Sequence, residues 1–197
     1  MLLLVAYGAT WVFSILLYLA RLPNSIAIAR RLRAERDAGK YDFKKVKPEH
    51  AKIMISADCT TIRQHLMKGT FTSVDLVNFF GERSQRVGRM IECSTEELFE
   101  SAMDLALKYD AERKAAIAKG TQNDLPFFHG IPISVKELFH MKGMLTTNGC
   151  TFLNQRSTFN SLAIQPLFDA CAIPIVRGNV PQAGLSIHSE NFIWGVC

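Results

Sequence analysis

The sequence predicts an α/β protein with an N-terminal transmembrane helix, a helical lead-in, and then the start of a mixed, mostly parallel sheet with flanking helices. Three observations carry that reading. Residues 1–20 hold no charged side chain. Residues 51–119 carry apolar positions at helical spacing, punctuated by Gly69 and Gly120. From Gly130 onward two short apolar runs read as strands with helical residues between them, the alternation that lays strands in parallel. A length of 197 residues suits one domain or a large piece of a bigger one, and 48% hydrophobic against 21% charged residues is a globular balance.

The first element is MLLLVAYGATWVFSILLYLA. About 20 apolar residues of helix cross a hydrocarbon core. Trp11 and Tyr18 are amphipathic aromatics, and Tyr18 beside Arg21 suits a membrane interface. No basic segment precedes Leu2, and no small-residue cleavage site precedes the arginines, so a retained signal anchor is favoured over a removable signal peptide. Arg21, Arg30, Arg31, Arg33, Arg36, Lys40, Lys44, Lys45 and Lys47 follow. Their position makes residues 21–50 a basic juxtamembrane linker and places the body, residues 51–197, on the cytosolic side of a single-pass protein, with an endomembrane as the expected site. Within the linker, residues 25–36 read equally as a basic surface helix or a solvated tether. The net charge of +5 is thereby accounted for. No recognition motif accompanies it, so nucleic acid is not an expected partner. Cys59, Cys93, Cys150, Cys171 and Cys197 are odd in number and show no CxxC pair. They suggest neither a zinc site nor a disulfide framework, and read as free thiols in a reducing compartment.

In the body, Ile53, Ile55, Ile62, Leu66 and Met67 predict a helix over 51–68, ended by Gly69. Thr72 or Ser73 caps a second helix through Val74, Leu76, Val77, Phe79 and Phe80. A third starts near Thr95, with Leu98, Ala102, Leu105 and Tyr109 on one face, and ends at Lys119 before Gly120. Ile131, Ile133 and Val135 alternate as a strand ending at Lys136. Gly143 and Gly149 bracket a loop, residues 160–172 form a helix that Pro166 disturbs, and Ile173 to Val176 form a second strand. No internal repeat is present.

Chemistry centres on Lys136. An ammonium at the end of a buried strand is costly to desolvate, so such a lysine tends to lose its proton and can serve as a general base. The plainer alternative is a snorkelling lysine paired with Glu137. The residues alone leave both open.

A longer pattern surrounds this lysine. His129-Gly-Ile-Pro-Ile-Ser-Val-Lys-Glu137 is followed by Lys142-Gly143, Thr146-Thr147 and Gly149. It resembles the GIPISVKD, KG and TT-glycine run of the amidase-signature family. Gly69 to Val77, Ala102 to Ala111, Ala172 to Val176 and Phe192 to Gly195 resemble further stretches of that family, so the likeness covers residues 51–197. Glu137 in place of aspartate, Asn179-Val-Pro-Gln182 and the N-terminal anchor are similar to the fatty acid amide hydrolase branch. What the resemblance implies is hydrolysis of lipid amides, such as N-acylethanolamines and primary fatty amides, by a Ser-cisSer-Lys serine hydrolase that needs no metal or other cofactor. Lys136 is implied as the base of that triad and Gly184 as a substrate-binding position. The branch has a methionine where Gly184 stands, and Cys150 and Pro166 are further departures. The family's GGSSGG loop, which supplies both triad serines, is expected beyond Gly195; no Gly-Gly-Ser-Ser stretch occurs in the 197 residues. Ser186 and Ser189 lack a glycine-rich anion cradle. The chain alone is therefore expected to be an inactive N-terminal portion of a membrane hydrolase. The alternative is a non-catalytic short form that binds lipid or a full-length partner. Oligomeric state is left open, a homodimer included.

Overall fold

The computed structural model describes residues 2–197, with side chains from residue 9 onward. Met1 and the side chains of residues 2–8, part of the expected anchor, lie outside the described residues. Helix α1 (Leu2–Ala38) is one continuous helix of 37 residues with Pro23 inside it. Of the two readings left open for residues 25–36, a surface helix or a solvated tether, the chain there is helical, as far as Ala38. Residues 9–20 are all exposed. The C-terminal half of α1 is docked instead. Ala29 and Leu32 are buried, and Leu32 packs with Leu145, Ile193 and Trp194. Arg36 donates to the Glu92 carboxylate and to the Ser94 carbonyl at 2.8 and 2.9 Å, and lies 5.9 Å from the Trp194 ring centre.

The expected helix over 51–68 is two, α2 (Pro48–Ser56) and α3 (Cys59–Lys68). The Asp58 side chain accepts from the Thr61 amide and starts α3 afresh, which outweighs the continuous apolar periodicity. Gly69, at φ 69°, closes α3 as expected. Helix α4 (Ser73–Arg83) opens on a reciprocal cap between Thr72 and Asp75, then continues as a π-turn over Ser84–Gly88. Residues expected to begin the third helix form strand β1 (Ser94–Glu97). The polar run Ser-Thr-Glu-Glu hides it: Thr95 donates to the Arg177 carbonyl, Glu96 accepts from the Leu145 amide and Glu97 from the Arg89 guanidinium. Helix α5 (Phe99–Lys119) follows and ends at Gly120, φ 72°.

Strands β2 (Pro132–Lys136) and β3 (Ile173–Gly178) pair in parallel, and β1 adds antiparallel on the far side of β3. The sheet is mixed, in the order β1-β3-β2. The short helix α6 (Gln165–Asp169) occupies part of the stretch expected to be helical over 160–172, starting where Pro166 is tolerated in a first turn. A two-stranded hairpin, β4 (Glu190–Asn191) and β5 (Gly195–Val196), ends the described chain. The main core joins Val77 of α4, Ala102, Ala106 and Tyr109 of α5, and Ile173, Ile175 and Val176 of β3. A second core gathers Met54, Leu66, Phe71, Leu76 and Ile131.

Candidate active site

Lys136 is the last residue of β2 and pairs across the ladder with Gly178 of β3. A Cβ at Gly178 would stand 3.9 Å from the Lys136 Cα, an ordinary contact distance. The Lys136 side chain is exposed. The desolvation expected for it is not supplied by the described residues. Nor is it paired with Glu137. That carboxylate points the other way, fully buried, and accepts from the amides of Thr147 and Asn148 at 2.5 and 2.9 Å.

Glu137 therefore ties the end of β2 to the loop bracketed by Gly143 and Gly149. Arg177, equally buried in β3, completes the frame. Its guanidinium donates to the carbonyls of Glu137 and Phe139 at 2.7 and 2.8 Å, holding the chain straight after Lys136. Its Nε and Nη1 have no hydrogen-bond partner among the described residues, so they act on Glu137 and Glu96 through charge alone. Burial pushes both carboxyls above the ordinary range. The amide donors and Arg177 pull Glu137 back, and the Leu145 amide and Arg156 pull Glu96 back. Burial likewise lowers Arg177, and the two carboxylates oppose it.

Asn179 and Asn191 fix the other side of the strand ends. Asn191 donates to the Asn179 side-chain oxygen and the Val180 carbonyl at 2.6 and 2.7 Å, and its own oxygen accepts from the amides of Ile193 and Trp194. Gly149, at φ 72°, fits beneath this pair: a Cβ would meet the Asn191 Cβ at 2.8 Å and the Gln182 Cα at 3.0 Å. Cys150, one of the departures from the family pattern, is buried beside it.

Gly184 lies on an exposed turn over Gln182–Gly184, which is tied to the loop held by Glu137 through the Ala183 amide, donating to the Asn148 carbonyl at 2.8 Å. Beside that turn runs a groove of about 680 Å³ between α1 and the β4–β5 hairpin, lined in part by Ile26, Arg30, Gln182, Leu185 and Phe192. A second cleft of about 450 Å³ lies between the docked end of α1 and β1, lined by Arg36, Tyr41, Glu96, Leu145 and Arg156. Lys136 borders neither. The described residues thus bring together Lys136, Glu137, Arg177 and Gly178, and show no contact between Gly184 and Lys136.

Sequence reading singled out Lys136 but not the platform under it. A signal was there in Arg177, one arginine inside the apolar run Ile-Pro-Ile-Val-Arg-Gly. A charge in a central strand is rare unless it is paired.

The helical lead-in and mixed sheet form part of a fold shared with solved amidases. The Amidase family model matches residues 75–197. The chain is 29% identical over 149 residues to an acetamidase of Aspergillus oryzae, covering 75% of this chain and 26% of that protein. It is 28% identical over 130 residues to fatty-acid amide hydrolase 2-A of Danio rerio, covering 64% and 24%. Among solved structures, a fatty acid amide hydrolase superposes with a TM-score of 0.66 at 18% identity, over 90% of this chain and 34% of that one. The chain belongs to the amidase family. It spans about a quarter of the length of the relatives it matches.

Proposed function

We propose that this chain is the lysine-bearing part of an amidase that hydrolyses fatty acid amides at a membrane surface, with Lys136 as general base. The observation that carries the reading is the placement of Lys136: it ends a parallel strand, clear of any carboxylate within ion-pair distance among the described residues, on a frame built by Glu137 and Arg177. A base must be free of a competing anion and held in register with its partner groups. In the proposed reaction the Lys136 amine takes a proton, through a bridging serine, from a nucleophilic serine. That serine attacks the amide carbonyl, the C–N bond breaks, and the proton passes to the leaving amine. Water then releases the acid. Both serines come from sequence outside these 197 residues, so the chain by itself is inactive.

The lipid character of the substrate is supported by the likeness to two fatty acid amide hydrolases. It is also supported by α1, a helix long and apolar enough to cross a membrane. Residues 1–20 are assigned as the anchor, with the body on the cytosolic side of an endomembrane. Gly184, on its exposed turn, is assigned to the acyl side of the site.

The test is complementation. The 197-residue chain in detergent, offered a primary fatty acid amide, releases no ammonia above its Lys136→Ala variant. Mixed with the remaining two-thirds of a structurally similar fatty acid amide hydrolase, it restores release, and Lys136→Ala abolishes that. Turnover by the isolated chain, or complementation that survives Lys136→Ala, overturns the assignment.

A further inference from the structure

Cys93 and Cys197 are 104 positions apart in sequence, yet the fold brings their sulfurs within 2.6 Å. Both backbones are held by hydrogen bonds. The Cys93 amide donates to the Gly88 carbonyl and its carbonyl accepts from the Asn179 amide, each at 2.8 Å, while the Cys197 amide donates to the Ser189 carbonyl at 2.9 Å. The Asn179 side chain spans the two segments, donating to the carbonyls of Glu92 and Gly195 at 3.0 and 3.3 Å. Two thiols held so need only a small movement to bond. The other cysteines have no such neighbour: Cys59 is exposed on α3, Cys150 is buried, and the Cys171 thiol turns to the Asp169 carbonyl.

We propose that Cys93 and Cys197 form a reversible disulfide that locks the β4–β5 hairpin to the segment entering β1, beside the strand ends that carry Lys136 and Gly178. All five cysteines are free thiols in this structure, so the pair stands in its reduced form. The oxidant is a small soluble disulfide of the glutathione type. Cys197 is the more exposed sulfur, and its thiolate attacks first, forming a mixed disulfide and expelling one glutathione thiolate. Cys93 then gives up its proton to solvent, attacks the Cys197 sulfur and expels the second. Two electrons and two protons leave the protein, and one glutathione disulfide becomes two glutathione thiols. Burial first, and then the hydrogen bond to Cys197, pushes the Cys93 thiol up to about 11. Both steps need a thiolate, so closure quickens with rising pH. The bond would close a loop of 104 positions, so its effect on the unfolded chain is large.

The experiment treats the full chain in detergent with glutathione disulfide and maps the linkages by mass spectrometry, once folded and once in concentrated urea. In the folded chain the expected product is a Cys93–Cys197 link formed at least tenfold faster than any other pairing. In urea that preference disappears, because proximity comes from the fold. The oxidised chain melts about 10 °C above the reduced one, and Cys93→Ser or Cys197→Ser removes both link and shift, while Cys59→Ser keeps them. Stable glutathione adducts on Cys197 without closure, or the same mixture of links with and without urea, overturn the proposal.

Discussion

Glu137 accepts two backbone amides from a loop ten and eleven positions away and sits beside Arg177 with no exposure to solvent. Removing it orphans both donors. Glu137→Ala should cost about 3 kcal/mol in urea unfolding. Its titration gives a second handle. The net shift is upward from 4.5, so the folded state holds the proton more tightly than the unfolded chain. The stability this contributes is full below pH 4.5 and is lost as pH rises through the folded value. His129 opposes this. Burial lowers its pKa from 6.5 more than the Glu112 pairing raises it, so its contribution is lost as pH falls below 6.5. The difference between wild type and Glu137→Gln across pH 4 to 7 isolates the carboxylate. It should decline with rising pH, and Glu96, shifted the same way, leaves some slope in the variant. Two glycines make a matched pair. Gly143→Ala meets nothing within 4 Å and should cost only the left-handed backbone strain of about 1 kcal/mol, whereas Gly149→Ala also collides with Asn191 and should cost about 3 kcal/mol. In sequence the two look alike, as brackets of one loop. What separates them is which residues from forty positions downstream lie overhead, and local spacing carries no trace of that.

Among the elements, the clearest expectations came where a single segment contains its own cause. Thr72 with Asp75, and Gly120 after Lys119, are complete signals within a few residues, and both ends fall where they predict. Strand β2 was legible from its alternation. Strand β1 was not, because Ser94 to Glu97 owe their extended form to β3, eighty positions on. Helix α1 is a mixed case. Its apolar half reads plainly, but Arg33 and Arg36 look from sequence like more of the basic cluster and instead bolt the helix to the body. Arg33 donates to the carbonyls of Phe192 and Ile193, and Arg36 to the Glu92 carboxylate and the Ser94 carbonyl. Arg36→Ala should therefore lower stability by about 2 kcal/mol and speed protease cleavage between residues 39 and 47. Arg31→Ala, whose partner Glu35 is equally exposed, should change stability by less than about 0.5 kcal/mol and leave cleavage unaltered. Equal effects from the two variants would remove the distinction between docked and solvated arginines.

At the scale of the whole molecule, an exposed apolar half-helix stands out from a body of buried cores. Leu16→Arg places one charge in that stretch, at a cost of about 3 kcal/mol if it enters a bilayer. The expected outcome is a chain that still folds by circular dichroism but no longer sediments with neutral lipid vesicles; co-sedimentation at the wild-type level would separate membrane binding from this helix. The site is spread across the molecule in the same way. Lys136 was legible because its neighbours in sequence form one long pattern. Its support was not, because Arg177, Asn179 and Asn191 are distant until β3 pairs with β2. Helix α1 has one more effect. At about 1.5 Å per residue its 37 residues reach roughly 55 Å, and the only interruption between the part left bare and the part held by Arg33 and Arg36 is the backbone bond that Pro23 cannot make. A helix that stays continuous through such a point still transmits twist as well as distance. With its first half in a bilayer, as proposed, the body would have no freedom to swivel on a tether. The azimuth at which the apolar half settles among lipids would fix which side of the body looks down at them.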